Sequence, residues 1–326
     1  MILRRNFITL VGGAAAAWPL AARGQQAAMP LVGILSSGEQ PAPLIQAYHQ
    51  ALKELGYVEG QNFTFERRRA GAEYERFRAL ADELVRRQVA VIFAAGGTVA
   101  SLAAKAATAA IPIVFYVGGD PVTQGLVTSL SRPGGNLTGV AWLGESMGGK
   151  RLELLGEIVP NATVIGILVN PKNPDSIFEM RNVQDAARLL GHQISVLNAS
   201  SEPEFDTVFA RAVQQRVGAV IVATDPFFSN QRARLARLAA RHAVPTIYDR
   251  REFVESGGLI SYGHDRAEAY HQAGIYTGRI LKGAKPADLP VVQPTRFELA
   301  ISLKAAKALG LEIRPTLLAR ADEVIE

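Results

Sequence analysis

Residues 115–142 read FYVGGDPVTQGLVTSLSRPGGNLTGVAW and decide the fold. They begin as an apolar strand, break at the Gly-Gly-Asp-Pro sequence of 118–121, turn at 132–136 and return to an apolar strand. Glycine and proline clusters end regular structure, so the first strand stops at an open loop. We predict a short covering helix at 124–129 between the two strands. We expect the whole segment to form one wall of a cleft and then lead the chain into a second lobe.

Upstream of this segment, short apolar runs alternate with amphipathic stretches. The runs cover 31–35, 63–65, 89–95 and 111–117. Between the first two, Leu44, Tyr48, Leu52 and Leu55 have helical spacing, and Gly56 ends that helix. Regular alternation of strands and helices predicts a parallel sheet with helices on both faces.

The second half of the chain repeats this plan. Apolar runs cover 163–169, 194–197, 218–223 and 244–248, with helical patterns between them. The run AVIFA at 90–94 corresponds to AVIVA at 219–223, and each is followed about 20 residues later by a branched residue and a proline. We therefore predict an α/β protein of two similar, doubly wound parallel-sheet lobes.

The amino-acid composition is consistent with two globular lobes and excludes some classes of function. The chain has 326 residues and is 48% hydrophobic, which is long enough for two cores. Its formal net charge is +5, but Arg4, Arg5 and Arg23 fall in the first 24 residues, so the basic balance does not indicate a nucleic-acid partner. The absence of cysteine excludes disulfides and thiol catalysis.

The first 24 residues resemble a twin-arginine signal peptide. Arg4 and Arg5 precede a modest apolar region at 8–20, and small residues follow at a position that a signal peptidase reads. An amphipathic N-terminal helix is the alternative. We expect residues 1–24 to be removed on export and the mature protein to be periplasmic.

Parallel sheets of this kind bind ligands beyond the carboxyl ends of their strands. The residues that follow those ends are small, polar, acidic or aromatic. They give these candidate ligand-binding residues: Ser36, Ser37, Gly97, Thr98, Gly119, Asp120, Trp142, Asn170, Asp225, Phe227 and Tyr262.

Each candidate has a possible ligand contact and a possible structural role. Gly97 and Thr98 open a helix, so they could hold a carboxylate or simply cap the helix. Asp120 and Asp225 precede prolines, where a carboxylate could receive an ammonium group or form an ordinary turn. Phe227 could stack on a flat ligand. The aromatic side chains of Trp142 and Tyr262 are expected to line the cleft.

Signatures of catalysis, metal binding and cofactors are missing from the sequence. The segment 144–150 has Walker A spacing, but Arg151 replaces the Ser or Thr that binds magnesium. No G-x-S-x-G or H-E-x-x-H sequence occurs. His264 and His271 are expected at the surface rather than in a metal site. We therefore expect no enzyme activity, no metal and no cofactor.

Four longer motifs resemble one family. They are GGDPV at 118–122, SRPGGNLTG at 131–139, REFVESGGLISYG at 251–263 and the C-terminal stretch 309–325. They are similar to the ABC transporter substrate-binding proteins that include the tryptophan and tyrosine uptake binding proteins, which have a type I periplasmic-binding-protein fold. The resemblance covers about 30–326 and does not specify a ligand.

The resemblance implies two lobes joined by three crossovers, near 142–145, 262–265 and 291–294. Lobe 1 would comprise 28–142 plus 265–293, and lobe 2 would comprise 143–264 plus 294–326. It also implies a carboxylate held by Ser36, Ser37 or Thr98 and an ammonium group held by Asp225. No arginine can be placed in the cleft from the sequence, which disfavours a doubly charged anion.

We therefore expect a monomeric, extracytoplasmic solute-binding component of an ABC uptake transporter. It would capture an amino acid or related carboxylate by hinge closure and deliver it to permease subunits. A ligand-sensing module for a receptor would have the same sequence features. An α/β enzyme would need Asp120 or Asp225 as general acid or base.

Overall fold

Four largely buried apolar strands and one half-exposed charged strand form the first sheet of the protein, whose computed structural model describes residues 29–71 and 73–326. The predicted signal peptide lies outside these residues. The strands are β1 Leu31–Ser36, β2 Thr64–Arg69, β3 Val91–Ala94, β4 Ile113–Val117 and β5 Leu137–Ala141. The helices between them are α1 Ala42–Glu54, α2 Arg76–Arg86 and α3 Gly97–Ala107. The sheet is parallel, with the order β2-β1-β3-β4-β5.

The second lobe follows a short 3-10 helix, Gly144–Met147. Its strands are β6 Val164–Val169, β7 Gln193–Asn198, β8 Ala219–Val222, β9 Thr246–Tyr248, β10 Ile260–His264, β11 Phe297–Ser302 and β12 Glu323–Ile325. Its helices are α4 Gly148–Ile158, α5 Pro174–Leu190, α6 Glu204–Gln214, α7 Pro226–Asn230, α8 Arg232–Arg241, α9 Arg251–Glu255, α11 Leu303–Ala308 and α12 Pro315–Leu318. Helix α10, Arg266–Leu281, and a 3-10 helix, Pro286–Asp288, precede β11.

The predicted duplication is confirmed by the topology of the two sheets. The second sheet has the order β12-β11-β10-β9-β8-β6-β7, so β6 to β10 repeat the arrangement of β1 to β5. One pairing departs from the parallel pattern, because β11 pairs antiparallel with β10. The chain reaches β11 from the first lobe and enters the sheet at the end where β10 leaves it, so the two strands run in opposite directions.

Helix α10 returns to the first lobe and covers one face of its sheet. Its residues Tyr270 and Ala273 share an apolar core with Tyr48 of α1. The Tyr48 hydroxyl donates to Oγ1 of Thr277 at 2.8 Å. Gly274 allows this close packing, since a Cβ there would lie 2.6 Å from the Tyr48 carbonyl oxygen. Helices α2 and α3 cover the opposite face.

The chain passes between the lobes at three neighbouring places. The first crossover follows β5, the second follows β10, and the third lies between Val292 and Arg296. Val292 bonds to the β5 backbone in the first lobe, with its N–H donating to Gly139 O at 3.0 Å. The Asp265 N–H donates to Arg296 O at 2.9 Å and so joins the second and third crossovers.

The predicted covering helix at 124–129 is wrong. Turns and bends occupy this segment, and Gly125 has a φ of +68°, outside the helical region. The Asp120 carboxylate holds the loop by accepting from Val122 N at 2.9 Å and from Thr123 Oγ1 at 2.8 Å. No helix of the part that the structure describes is long and apolar enough to cross a membrane.

A buried ion pair fixes the second lobe beside the crossovers. Arg151 of α4 pairs with Glu179 of α5, and both side chains are 0% exposed. Arg151 Nε donates to Tyr262 O at 2.9 Å, next to the second crossover. Glu179 Oε2 accepts from Thr224 N at 2.7 Å, at the end of β8. The pair therefore ties α4, β10 and the end of β8 into one unit.

We predict that Arg151→Met lowers the free energy of unfolding by about 3–5 kcal/mol, because Glu179 is left buried without its counter-charge. Chemical denaturation measures the loss. The double variant Arg151→Met/Glu179→Leu should recover most of it, since both charges are then gone. Lys150→Met, which breaks the exposed pair with Glu153, serves as the control and should change stability little. A single Arg151 variant as stable as wild type would contradict the assignment.

Candidate functional site

A cavity of about 50 Å³ lies between the lobes, where the carboxyl ends of the two sheets face each other. Three of the predicted site residues line it: Ser37, Gly97 and Trp142. The other lining residues are Glu39, Gln40, Pro41, Ala95, Tyr116, Gly118, Asp175, Thr224, Pro226, Ser229, Asn230, Arg232, Arg250, Glu252 and Arg266. Both lobes contribute, so the cavity exists only while they contact each other.

Glycine allows the two lobes to approach closely on one side of the cavity. Gly97 has a φ of +78°, and a Cβ there would lie 3.2 Å from Cγ of Pro226 in the other lobe. A Cβ on Gly38 would lie 2.5 Å from Oδ1 of Asn230. The nearby Ser36 hydroxyl donates to Gly38 O at 2.9 Å, so it supports the loop instead of facing the cavity.

The Thr98 hydroxyl, predicted to hold a ligand carboxylate, makes a contact between the lobes. Its Oγ1 donates to Oδ2 of Asp175 at 2.9 Å, and both residues are buried. Asp175 lies in the first turn of α5, where a carboxylate also interacts favourably with the helix N-terminus. Thr98 therefore helps to hold the second lobe against the first.

Asp225 has a similar role and does not line the cavity. Its carboxylate caps α7 by accepting from Phe227 N and Phe228 N. It also accepts from Asn170 Nδ2 at 3.1 Å and from Asn173 Nδ2 at 2.9 Å. Tyr74, in the first lobe, donates its hydroxyl to Asp225 Oδ1 at 2.8 Å. Burial raises the pKa of Asp225 to about 6, although these donors act in the opposite direction.

The remaining predicted residues lie away from the cavity. The Phe227 ring packs in the core at 5.3 Å from Phe205, so the prediction that it stacks on ligand is replaced by a core role. Tyr262 stacks at 6.0 Å on Phe297 of the neighbouring strand. Gly119 and Asp120 lie in the loop after β4 and are not among the lining residues, although the preceding Gly118 is.

Charged side chains form the wall of the cavity nearest the crossovers. Arg266, at the start of α10 in the first lobe, pairs with Glu252 of α9 in the second lobe. Arg250 pairs with Asp249, with Nε 2.9 Å from Oδ2. Burial alone would raise the pKa of Glu252, but Arg266 and Arg250 outweigh it and lower that pKa. Glu252 is therefore ionised at neutral pH.

Two atoms of this wall have no hydrogen-bond partner within the described residues. They are Nε of Arg266 and Oε2 of Glu252. Buried donors and acceptors of charged groups are costly to leave unpaired. The wall therefore contains one donor and one acceptor that a ligand could satisfy once the two side chains move.

Aromatic rings pack behind this wall around a buried histidine. His264 stacks on Trp142 with ring centroids 4.4 Å apart, and its Nε2 lies 2.8 Å from the Tyr116 hydroxyl. His264 is 5% exposed, so the prediction that it lies at the surface is wrong. Burial, together with Arg266 and Arg250, holds its pKa well below the usual value. The imidazole is neutral, and it covers one face of the Trp142 ring.

Among the residues to which sequence reasoning gave no ligand role are four in or behind the charged wall: Arg250, Glu252, Arg266 and His264. All four lie in or close to the motif REFVESGGLISYG at 251–263. The sequence identified this stretch as a family motif but did not indicate what each residue does. In residues 29–71 and 73–326, no group of three His, Asp or Glu side chains is arranged to hold a metal ion.

We predict that His264 makes stability fall as the pH drops below about 6.5. The folded protein holds His264 neutral while the unfolded chain takes up a proton there, so unfolding gains protons as the pH falls. Relative to His264→Gln, wild type should lose up to about 1.4 kcal/mol per pH unit in this window. Denaturation between pH 8 and 5 measures the difference, and Asp225 titrates alike in both proteins. Parallel pH profiles would contradict the prediction.

The chain is similar in sequence and in fold to known proteins. A tyrosine-binding protein from Clostridioides difficile is 27% identical over 284 residues, covering 86% of this chain and 81% of that protein. An ABC domain from Streptococcus pneumoniae in complex with L-Trp superposes with a TM-score of 0.83 at 24% identity. A ligand-free, open substrate-binding protein from Clostridium difficile, also 24% identical, gives 0.63. For both structures, the match covers 91% of this chain and 99% of the chain in the solved structure.

These similarities confirm the predicted type I periplasmic-binding-protein fold. The family model described as ABC transporter substrate binding protein matches residues 37–325. The chain therefore belongs to the ABC transporter substrate-binding protein family.

Proposed function

We propose that this protein is the extracytoplasmic solute-binding component of an ABC uptake transporter and that it captures a zwitterionic amino acid between its lobes. The observation that carries the proposal is the wall where Arg266 and Glu252 meet. Each side chain has one buried atom without a partner in the described residues. An α-carboxylate can accept from Arg266, and an α-ammonium group can donate to Glu252.

The charges around the cavity favour a ligand without net charge. Three arginines line it, Arg232, Arg250 and Arg266, together with three acidic residues, Glu39, Asp175 and Glu252. Their formal charges cancel, so neither a dianion nor a cation gains from the surrounding field. The names of the relatives supply candidates of the right class, since one is a tyrosine-binding protein and another was crystallised with L-Trp.

We further propose that the lobes open to admit the ligand. The moving units are the predicted ones, 28–142 with 265–293 and 143–264 with 294–326. Pockets for small organic ligands commonly enclose about 300–1,000 Å³. The cavity of about 50 Å³ is far smaller, so an amino acid enters only when the lobes or the wall side chains move. We place the mature, monomeric protein in the periplasm, where it delivers ligand to the permease.

Calorimetric titration with L-tyrosine, L-tryptophan and smaller amino acids tests the proposal. A ligand present at 100 times its dissociation constant should also stabilise the fold by about 2.7 kcal/mol. Glu252→Gln should weaken binding by at least about tenfold, because the ammonium group loses its ionised acceptor. The control is Glu268→Gln, at an exposed position of α10, which should bind like wild type. No binding across the amino-acid panel would refute the proposed ligand class.

Tyr74→Phe tests the opening of the lobes. The variant loses the hydrogen bond from the first lobe to Asp225, so the ligand-free protein should shift towards an open form. Small-angle X-ray scattering should show a larger radius of gyration for the ligand-free variant, and ligand at saturation should remove the difference. Tyr57→Phe, which alters a tyrosine within the first lobe, is the matched control. Equal radii for ligand-free wild type and Tyr74→Phe would argue against this contact as a closure bond.

A further inference from the structure

One residue of the first crossover has a left-handed backbone conformation. Leu143 has a φ of +47° and a ψ of +42°. In this conformation the Cβ of an L-amino acid lies too close to the following carbonyl oxygen, so a residue other than glycine populates it roughly five to thirty times less than the right-handed conformation. A leucine side chain cannot compensate by bonding to the local backbone, as asparagine or aspartate can. The surroundings of Leu143 therefore hold it in a strained state.

The other left-handed residues have an ordinary explanation. Besides Leu143, three residues other than glycine within 29–71 and 73–326 have a positive φ: Gln88, Arg216 and Ala243. Each lies two residues beyond the end of a helix, α2, α6 or α8, and the next residue bonds back to that helix, as Val89 N does to Leu84 O at 3.4 Å. A left-handed residue commonly ends a helix in this way. Leu143 instead precedes a 3-10 helix, so the ending of a helix does not explain its conformation.

The chain is attached to a different lobe on each side of Leu143. Before it, the Trp142 N–H donates to Val117 O of β4 in the first lobe at 3.1 Å. After it, the Gly149 N–H donates to Asn182 Oδ1 of α5 in the second lobe at 2.8 Å. When two lobes rotate, a few residues between such attachment points take up the change in backbone torsion. For this crossover those residues are 143–148.

The Trp142 ring links the conformation of Leu143 to contact between the lobes. A Cβ on Gly144 would overlap this ring, so the chain turns sharply around it. The Leu143 carbonyl oxygen closes the turn by accepting from Ser146 N at 3.0 Å and from Ser146 Oγ at 2.7 Å. The ring also stacks on His264 of the second crossover and lines the cavity between the lobes. The strained turn is therefore built around a ring that contacts both crossovers.

We propose that the left-handed conformation of Leu143 belongs to the closed form, in which the lobes contact each other as in this structure, and that its strain favours the open form in the ligand-free protein. Separation of the lobes allows the backbone at 143–148 to adopt a conformation without this cost. The inference rests on the proposed opening of the lobes and adds the residue that biases it. A strained crossover keeps the cleft accessible until a bound ligand offsets the strain.

A comparison of glycine with alanine at position 143 tests the inference. Both variants remove the leucine atoms beyond Cβ, but only glycine adopts the left-handed conformation without cost. The ratio of closed to open form should therefore be about five to thirty times higher for Leu143→Gly than for Leu143→Ala. Small-angle X-ray scattering of the ligand-free proteins should show the smaller radius of gyration for Leu143→Gly. The pair is also made in the Tyr74→Phe background, which should favour the open form, so that a change is visible whichever form wild type favours.

The matched control is the same comparison at Gln88, whose left-handed conformation ends α2 within the first lobe. Gln88→Gly and Gln88→Ala should give equal radii of gyration, because the strain at this position is the same in the open and closed forms. Thermal unfolding of each variant verifies that it is folded.

The outcomes separate this inference from the proposed opening. If Tyr74→Phe enlarges the radius of gyration while Leu143→Gly and Leu143→Ala agree in both backgrounds, the lobes open and only this inference fails. If no variant differs from wild type, the opening is contradicted, and this inference with it. A difference between glycine and alanine at Gln88 as large as that at Leu143 would also overturn the inference, since glycine would then act through general flexibility and not through the crossover.

Discussion

The buried ion pair between Arg151 and Glu179 is the constraint on which the ligand-facing half of the second lobe depends. Arg151 follows the first crossover closely and bonds to the backbone at Tyr262, just before the second. Glu179 holds the backbone of Thr224, which lines the cavity between the lobes. Replacement of a buried ion pair by apolar residues often stabilises a protein, so stability alone does not explain its presence. The pair instead fixes the relative positions of α4, α5 and β10, because two charged groups in an apolar interior tolerate few alternative arrangements.

The fold was predictable because its signals are local and repeated. Parallel strands buried on both faces are continuous apolar runs, and the predicted runs at 31–35, 111–117 and 163–169 match β1, β4 and β6 to within about two residues. The helix predicted at 124–129 failed for a local reason as well. That stretch is short, and Gly125 takes a left-handed conformation. The antiparallel pairing of β11 was not predictable, since it follows from the path of the chain back from the first lobe.

The location of the site was predictable from the sequence, but most of its residues were not. Strand ends do face the cavity, and Ser37, Gly97 and Trp142 line it. Asp225, which the sequence predicted to hold a ligand ammonium group, caps a helix and accepts a hydrogen bond from the other lobe. A cap and a ligand contact use the same residue types at the same positions, so sequence does not separate them. Glu252 and Arg266 belong to two helices of different lobes, and only the crossovers bring them together.

In the ligand-free protein, some groups favour contact between the lobes and others oppose it. The hydrogen bonds of Tyr74 with Asp225 and of Thr98 with Asp175 favour contact between the lobes, at about 1.5–3 kcal/mol each for bonds to charged acceptors. Contact also buries Arg266 Nε and Glu252 Oε2 without partners among the described residues, at about 1–3 kcal/mol each. These contributions are of similar size, so they largely offset each other in the balance between contact and separation of the lobes. On the proposed function, a zwitterion satisfies the second pair of groups only when the lobes are together. That difference in affinity is what a ligand needs to shift the balance towards closure.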